Sequence, residues 1–497
     1  MLSIFQYFYE RFINNNYLPY QVNHSNFKQM SKITTKSVIP FVVLVGLALA
    51  AAFIKPEADY VPSATDTPYS AADIAWVLVS TALVFLMTPG LAFFYGGMVN
   101  RKNVISTMIK SVVAAGVVGV LWIVVGFSLS FGDSIGGIIG DPTTFMFFKG
   151  VKSHAPWVGA TSIPLTLFAL FQLMFAIITP GLVVGAVAER IRFTSYVVFI
   201  VLFSLLVYAP VAHWSWHPEG FLAKMGAWDF AGGTVVHITA GCAALAGALV
   251  LKRRKSHEQR AEIPPANVPY VLIGTGLLWF GWFGFNAGSA VGASPLAVNA
   301  FGTTNTAAAA AGLAWMFFDV LKGKKPSVLG FCIGAVVGLV AITPAAGYVG
   351  IPQSMIIGVI GAIISNIAVS IKQKSRLDDT LDVFPCHGVG GMVGMLMTGV
   401  FASQLVHGIS GGPQGWAYGN FSFFLTQLKA MLIVVVYSFT VSFLIFKFIN
   451  FILPIRVSAA DEEEGLDASQ HDEKYLQGTL LVRTGGQLEE KDVDAAL

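Results

Sequence analysis

Eleven apolar runs, each about 20 residues or longer, leave this chain little choice of solvent. A hydrocarbon layer of about 30 Å takes about 20 residues of helix. The runs cover 72–98, 103–131, 163–188, 193–215, 230–251, 269–290, 296–320, 327–348, 352–372, 384–404 and 425–452. At that depth no water reaches backbone N–H and C=O groups, so each run must close its own hydrogen bonds as helix. Only 11% of the 497 residues are charged and 55% are hydrophobic, outside the range of soluble domains. The predicted class is an all-α polytopic membrane protein in contact with a lipid bilayer. A net charge of +3 is too small to imply a nucleic-acid partner. Cys242, Cys332 and Cys386 form no CxxC pair and read as small core residues. No catalytic triad, metal-ligand cluster or phosphate loop stands out, so neither enzyme chemistry nor a cofactor is expected.

Basic residues collect in alternate loops. Arg101, Lys102, Arg190, Arg192, Lys252, Arg253, Arg254, Lys255, Arg260, Lys322, Lys324, Lys325, Lys372, Lys374 and Arg376 follow the odd-numbered runs. Only Lys149, Lys152 and Lys224 follow the even ones. The positive-inside bias predicts a mature N-terminus outside and a cytoplasmic C-terminus. The N-terminal end agrees. Met30 opens a stretch with Lys32 and Lys36, an apolar core from Val38 to Leu49 and small residues Ala50 to Ala52, the pattern of a cleaved signal peptide. The expected organisation is therefore residues 1–52 as upstream sequence plus signal peptide, with a true start at Met30. A membrane domain follows at 70–452 and a soluble tail at 453–497. Ser70 and Asp73 read as a capping start to the first run.

Two histidines lie inside apolar runs, His237 in DFAGGTVVHITAG (229–241) and His387 in DVFPCHGVGGMVG (382–394). An imidazole at membrane depth costs several kcal/mol unless it faces a partner or cavity. One alone is as often a satisfied core residue as a functional one, but two in matching contexts point to a pathway. Gly233 and Gly241 flank the first, and Gly391 and Gly394 follow the second at helical spacing, predicting two closely packed helices that share an interior. His237 falls in the fifth run and His387 in the tenth, and Thr179-Pro180 is matched by Thr343-Pro344. Five runs per repeat force the second copy to be inverted, an architecture of transporters and channels. The eleventh run becomes a peripheral helix. Asp229 heads the fifth run, where capping accounts for it better than substrate contact does. It lies about 12 Å along the helix from His237.

Longer strings carry a resemblance. TPGLAFFYGGMVNRKNV (88–104), VGAVAERIRF (184–193), WDFAGGTVVHI (228–238), GWFGFNAGSA (281–290) and DVFPCHGVGGMVG (382–394) resemble the ammonium transporter family, Amt/Mep/Rh, in its bacterial Amt branch, over roughly residues 70 to 475. The resemblance implies an eleven-span homotrimer of the bacterial inner membrane, serving nitrogen metabolism, with a narrow ammonium pore in each protomer. His237 and His387 match the twin pore-lining histidines, and Phe175 and Phe285 the phenylalanine pair that gates the pore. Trp216 and Ser289 match the outer ammonium-recruiting site. Asp229 matches an aspartate of structural or electrostatic role. Glu464, Gly465, Leu466, Asp467 and His471 resemble a cytoplasmic regulatory tail that docks under neighbouring protomers, and the family implies a PII-type signal protein as partner. HPEGFLAKMGAW, between Trp216 and Asp229, departs from the usual glycine-rich version and is one residue longer.

The residue types suit the implied task. An indole face holds a small cation by about 0.5 to 2 kcal/mol, and a serine hydroxyl accepts a hydrogen bond. Facing phenylalanines oppose hydrated ions, and ammonia without its extra proton avoids the Born cost of a bare cation. Each type has a plainer reading too: interfacial tryptophan is commonly an anchor, and most of the 39 phenylalanines face lipid or core. The alternatives are an Rh-type neutral-gas channel, an ammonium sensor, or a bis-histidine membrane cytochrome with haem between the imidazoles.

Overall fold

The computed structural model describes residues 35–64, 66–261, 263–409, 412–475, 479–484 and 487–492. The expected start at Met30 lies outside them. A helix at Thr35–Ala51 covers the apolar core of the predicted signal peptide and belongs to a unit of its own that ends at Lys55. All that follows concerns the unit beginning at Pro56.

Every one of the eleven runs carries a helix: α1 Ala71–Met98, α2 Arg101–Phe131, α3 Leu165–Val187, α4 over 193–216, α5 Gly233–Leu251, α6 Val268–Ala290, α7 Pro295–Leu321, α8 Val328–Ile342, α9 Ile351–Lys374, α10 Phe384–Phe401 and α11 Phe421–Ile452. Two short helices, α12 Ala459–Glu464 and α13 Leu466–His471, follow in the tail. Nine helices among the described residues are long and apolar enough to cross a membrane. α7 is long but carries Asn299, Asn305 and three threonines in a row of four polar positions. α8 is 15 residues, shorter than the run at 327–348. It stops at Ile342 because Pro344 has no amide to give the Val340 carbonyl, which the Thr343 amide takes instead at 3.2 Å. Pro344 then packs its ring where a side chain on Gly233 would stand, and its carbonyl accepts the Phe230 amide. Pro180, its expected counterpart, instead stays inside α3. The Ser70 hydroxyl caps the Asp73 amide at 3.2 Å, and the Asp73 carboxylate accepts the Ala293 amide at 2.8 Å.

Glycine decides which helices meet. Along α1 and α6, a Cβ on Gly274 would strike the Phe94 amide at 2.3 Å, and one on Gly281 the Leu83 carbonyl at 2.6 Å. α1 and α6 therefore lie backbone to backbone. α5 and α10 do the same at one point, where a Cβ on Gly241 would stand 2.3 Å from both Cα and N of Gly388. With little hydrophobic drive between helices in lipid, close van der Waals contact of this kind is what holds them together.

Gly241→Ala is therefore expected to cost at least about 2 kcal/mol, because no rotamer moves a Cβ away from a facing backbone. Gly276, also helical, has nothing within 4 Å of its would-be Cβ, and Gly276→Ala should be neutral or slightly stabilising. Thermal unfolding of the detergent-solubilised protein, followed by size-exclusion chromatography, checks both; equal midpoints for the two variants would refute the packing argument.

Candidate functional site

The site is built by two helix heads. At the first, the Asp229 carboxylate accepts the amides of Gly232 at 2.8 Å and of Gly233 and Thr234 at 2.7 Å, together with the Thr234 hydroxyl. These are donors that a helix start leaves unpaired. Gly232 makes the bend with φ +116°, a conformation open to glycine. Residues Gly233–Ile238 then wind as one π turn that carries His237. At the second head, Asp379 accepts the amides of Val383 at 3.0 Å and Phe384 at 2.7 Å, and the π turn Phe384–Val389 carries His387. Burial pushes the Asp379 carboxyl up to about 6 against the pull of Lys372. Each aspartate precedes its histidine by eight residues. Asp379 was missed in the sequence, although that repeated interval was the signal for it.

Because α5 and α10 touch at Gly241 and Gly388, their imidazoles meet. His237 Nδ1 and His387 Nδ1 are 3.4 Å apart in a buried setting. One must donate and the other accept, so one ring keeps a bare Nε2 and the other an Nε2–H. His237 Nε2 has no protein partner. The rings continue as a file: His387 to His237 at 5.5 Å between centroids, His237 to Phe285 at 6.0 Å, Phe285 to Phe175 at 4.4 Å and Phe175 to Trp216 at 5.9 Å. Phe175 and Phe285 are 1% and 0% exposed, so solvent reaches neither ring. Trp282 flanks His237 at 5.4 Å and is anchored by its N–H to the Thr343 hydroxyl at 2.9 Å.

Cavities lie on both sides of the phenylalanine pair. Beside the histidines is a space of about 10 Å³, lined almost wholly by apolar side chains such as Leu91, Ile178 and Val336. That is at the lower limit for a single water. On the other side a vestibule of about 150 Å³ is lined by Trp216, Ser289, Phe171, Phe230, Trp157 and Gln172, among others. The Trp216 N–H is held by the Asp229 carbonyl at 3.1 Å, and the Ser289 hydroxyl donates to the Phe285 carbonyl at 2.8 Å, leaving its oxygen free to accept. Asp229 thus orients Trp216 with its backbone carbonyl and caps α5 with its carboxylate, which that capping fully occupies. Glu219, in the longer HPEG segment, is paired with Lys224 at 2.5 Å. Trp157 and Gln172 were not foreseen. Trp157 comes from a loop, where no periodicity marks it; Gln172 is the one polar side chain between Phe171 and Phe175, a signal that was present.

The tail residues lie elsewhere, on the face of the basic loops. Leu466 donates its amide to Asn103 Oδ1 at 2.8 Å, and the Asp467 carboxylate accepts the amides of Ile105 at 3.1 Å and Ser106 at 2.7 Å. Asp467 thereby caps the start of α2 from a distance in sequence. Gly465, at φ +107°, passes so close to Lys102 that a Cβ would meet its carbonyl at 2.7 Å. His471 rests edge-on against Phe193 at 5.2 Å, and Glu464 is exposed. Lys102 and Lys255 hold Glu463, and Arg456 holds Glu462 at 2.7 Å. Nearby, Arg254 bridges Glu189 at 2.6 Å and Asp378 at 2.8 Å, and buried Arg190 bonds Thr380 and the Asp378 carbonyl. This joins the loops before α4, α6 and α10 to one another.

Comparison with known proteins adds a family. The profile of the Ammonium Transporter Family matches residues 75–475. An ammonium transporter of Aquifex aeolicus is 45% identical over 413 residues, covering 83% of this chain and 95% of that one. The crystal structure of Candida albicans Mep2 aligns with a TM-score of 0.74 at 38% identity, over 79% of this chain and 88% of that one. A structure titled Sensor Amt Protein aligns with a TM-score of 0.74 at 28% identity, over 80% of this chain and 98% of that one.

Two outcomes are expected from this geometry. Asp229→Ala leaves three amides of α5 unsatisfied and should lower stability by about 2 to 4 kcal/mol, whereas Asp229→Asn, which still accepts, should lose less; thermal melts of both decide whether capping is the role. The tail docks with opposing proton linkages. Burial, outweighing the Ser106 and Ile105 amides, raises Asp467 from 3.8 to about 6, so its contribution to docking is lost as pH rises through that value. Burial, aided by Lys110, lowers His471 from 6.5 to about 4, so its contribution is lost as pH falls. Hydrogen-exchange protection factors over 459–471, which remove the intrinsic rise of exchange with pH, should be nearly flat from pH 4 to 6.5 in the parent chain. In His471→Gln they should show tighter docking at pH 5 than at pH 7.

Proposed function

Because the chain belongs to the ammonium transporter family, whose members are transporters and channels rather than enzymes, we propose that it captures ammonium in the Trp216 vestibule and passes it as ammonia along the two histidines. The observation that carries this reading is the unbroken file of rings from Trp216 to His387, with a cation-sized vestibule at one end and a nearly dry apolar space at the other. Trp216 and Ser289 offer a cation an aromatic surface and an acceptor oxygen. A bare cation in the space beyond Phe175 and Phe285 would lose hydration worth tens of kcal/mol by Born estimate. Ammonia avoids that cost and meets, at the histidine pair, one N–H donor and one bare nitrogen.

The reading extends to the setting. Eleven spans form an inverted five-plus-five repeat with α11 peripheral, and the vestibule faces outside. The tail faces the cytoplasm of a bacterial inner membrane, three protomers assemble, and a PII-type protein docks on the tail face. A signal peptide with its start at Met30 delivers the outside N-terminus. Sensing is the second reading, favoured by the likeness to the protein titled Sensor Amt Protein.

The test is a concentration jump on purified protein in liposomes, with current and internal pH read together. Ammonium should give current or alkalinisation and potassium neither. Replacing His237 or His387 with Leu removes a hydrogen-bonding wall from an apolar pore and should lower ammonium flux at least roughly tenfold. Full flux in both variants would refute the histidine role, and a parent chain silent in both readouts would refute transport and favour sensing.

A further inference from the structure

The vestibule contains a polar side chain whose position neither packing nor the roles above explain. Gln172, on α3 between Phe171 and Phe175, is 8% exposed, lines the vestibule, and its Oε1 has no hydrogen-bond partner. A buried amide oxygen left unpaired costs about 1 to 3 kcal/mol, and a residue that serves packing alone would be apolar. The other polar groups of this cavity are already assigned. The Trp216 N–H is given to the Asp229 carbonyl, the Asp229 carboxylate is spent on α5, and Ser289 has given its hydrogen to Phe285. Two acceptors remain for anything that enters, Ser289 Oγ and the Gln172 amide.

An ammonium ion presents four N–H donors and gives up water on entering a space of about 150 Å³. Each water it sheds must be replaced by an acceptor or by an aromatic face. The aromatic side of that exchange is complete. Trp157, stacked on Phe168 at 5.3 Å and 11°, lines the cavity together with Trp216. Its loop is tied down by the Tyr60 amide on the Lys152 carbonyl and the Ser70 amide on the Ser162 carbonyl, both 2.9 Å. The acceptor side is short by one group without Gln172. A half-turn of its terminal amide exchanges oxygen and nitrogen at little cost, so the end presented to the cavity follows what occupies it.

We propose that Gln172 is a cation-binding residue of the vestibule, its amide oxygen accepting an N–H of ammonium opposite Ser289. The inference rests on the recruitment reading above and adds a ligand to it. Gln172 replaces a lost water before the cation reaches Phe175 and Phe285, and so sets the concentration at which the vestibule fills rather than the rate of passage beyond it.

The experiment measures initial ammonium-driven current against ammonium concentration for the parent chain, Gln172→Leu and Gln172→Glu in liposomes. Gln172→Leu should raise KM roughly tenfold, the factor carried by a hydrogen bond to a charged group, with the saturating current unchanged. Gln172→Glu keeps an acceptor, so its KM should equal or fall below that of the parent, and it should rise as pH falls through the new carboxyl's titration. An unchanged KM in Gln172→Leu, or the same rise in both variants without pH dependence, overturns the inference while transport by the parent stands. If Gln172→Leu does not fold, the KM and pH profile of Gln172→Glu decide alone. A parent chain without ammonium-driven current or pH change overturns the transport reading, and this inference with it.

Discussion

A polar group inside this protein must find its partner in protein, because the bilayer offers none, and the aspartates at the heads of α5 and α10 meet that demand most directly. Asp229 and Asp379 each occupy amides that would otherwise lie unpaired at buried helix starts. A helix so capped can begin deep in the fold. Its first turns, π-wound in both cases, then carry a histidine at a set height. The meeting of the two imidazoles depends on those two heights agreeing.

The agreement is completed by glycine. Gly241 and Gly388 bring α5 and α10 into backbone contact, and the imidazoles on the same faces fall within hydrogen-bonding distance. Trp282 and Phe285 from α6 then hold one flank of His237, and Phe175 from α3 meets Phe285. With Trp216 from α4, five helices thus supply one file of rings, and none of them could supply it alone. On the face of the basic loops, Asp467 repeats the capping device at the start of α2, so the tail is secured by the same chemistry that secures α5 and α10.

Much of this was legible residue by residue. The apolar runs located the helices to within a few positions, except where Pro344 ended α8 early. The two histidines stood out because imidazole is costly in such surroundings, and Asp229 read as a cap from its place at the head of the run. Asp379 was overlooked because the run was taken to begin at its neighbours, although the eight-residue interval before each histidine was visible. Gln172 was overlooked as well, although it is a lone polar residue between two phenylalanines. Trp157 was not legible, since a loop has no period from which to judge where a side chain will land.

The sequence by itself determined the solvent, the number and extent of the apolar runs, and the residue types of the pore, because hydropathy and the cost of burying polarity are local properties of the chain. The tertiary structure alone decided that Trp216, Phe175, Phe285, His237 and His387 form one line, and that Gln172 and Trp157 share the vestibule with Ser289. Those neighbours come from different helices and a loop, and their distances are set by how closely glycine lets the helices approach. Proximity across elements is a property of packing, which no single stretch of chain contains.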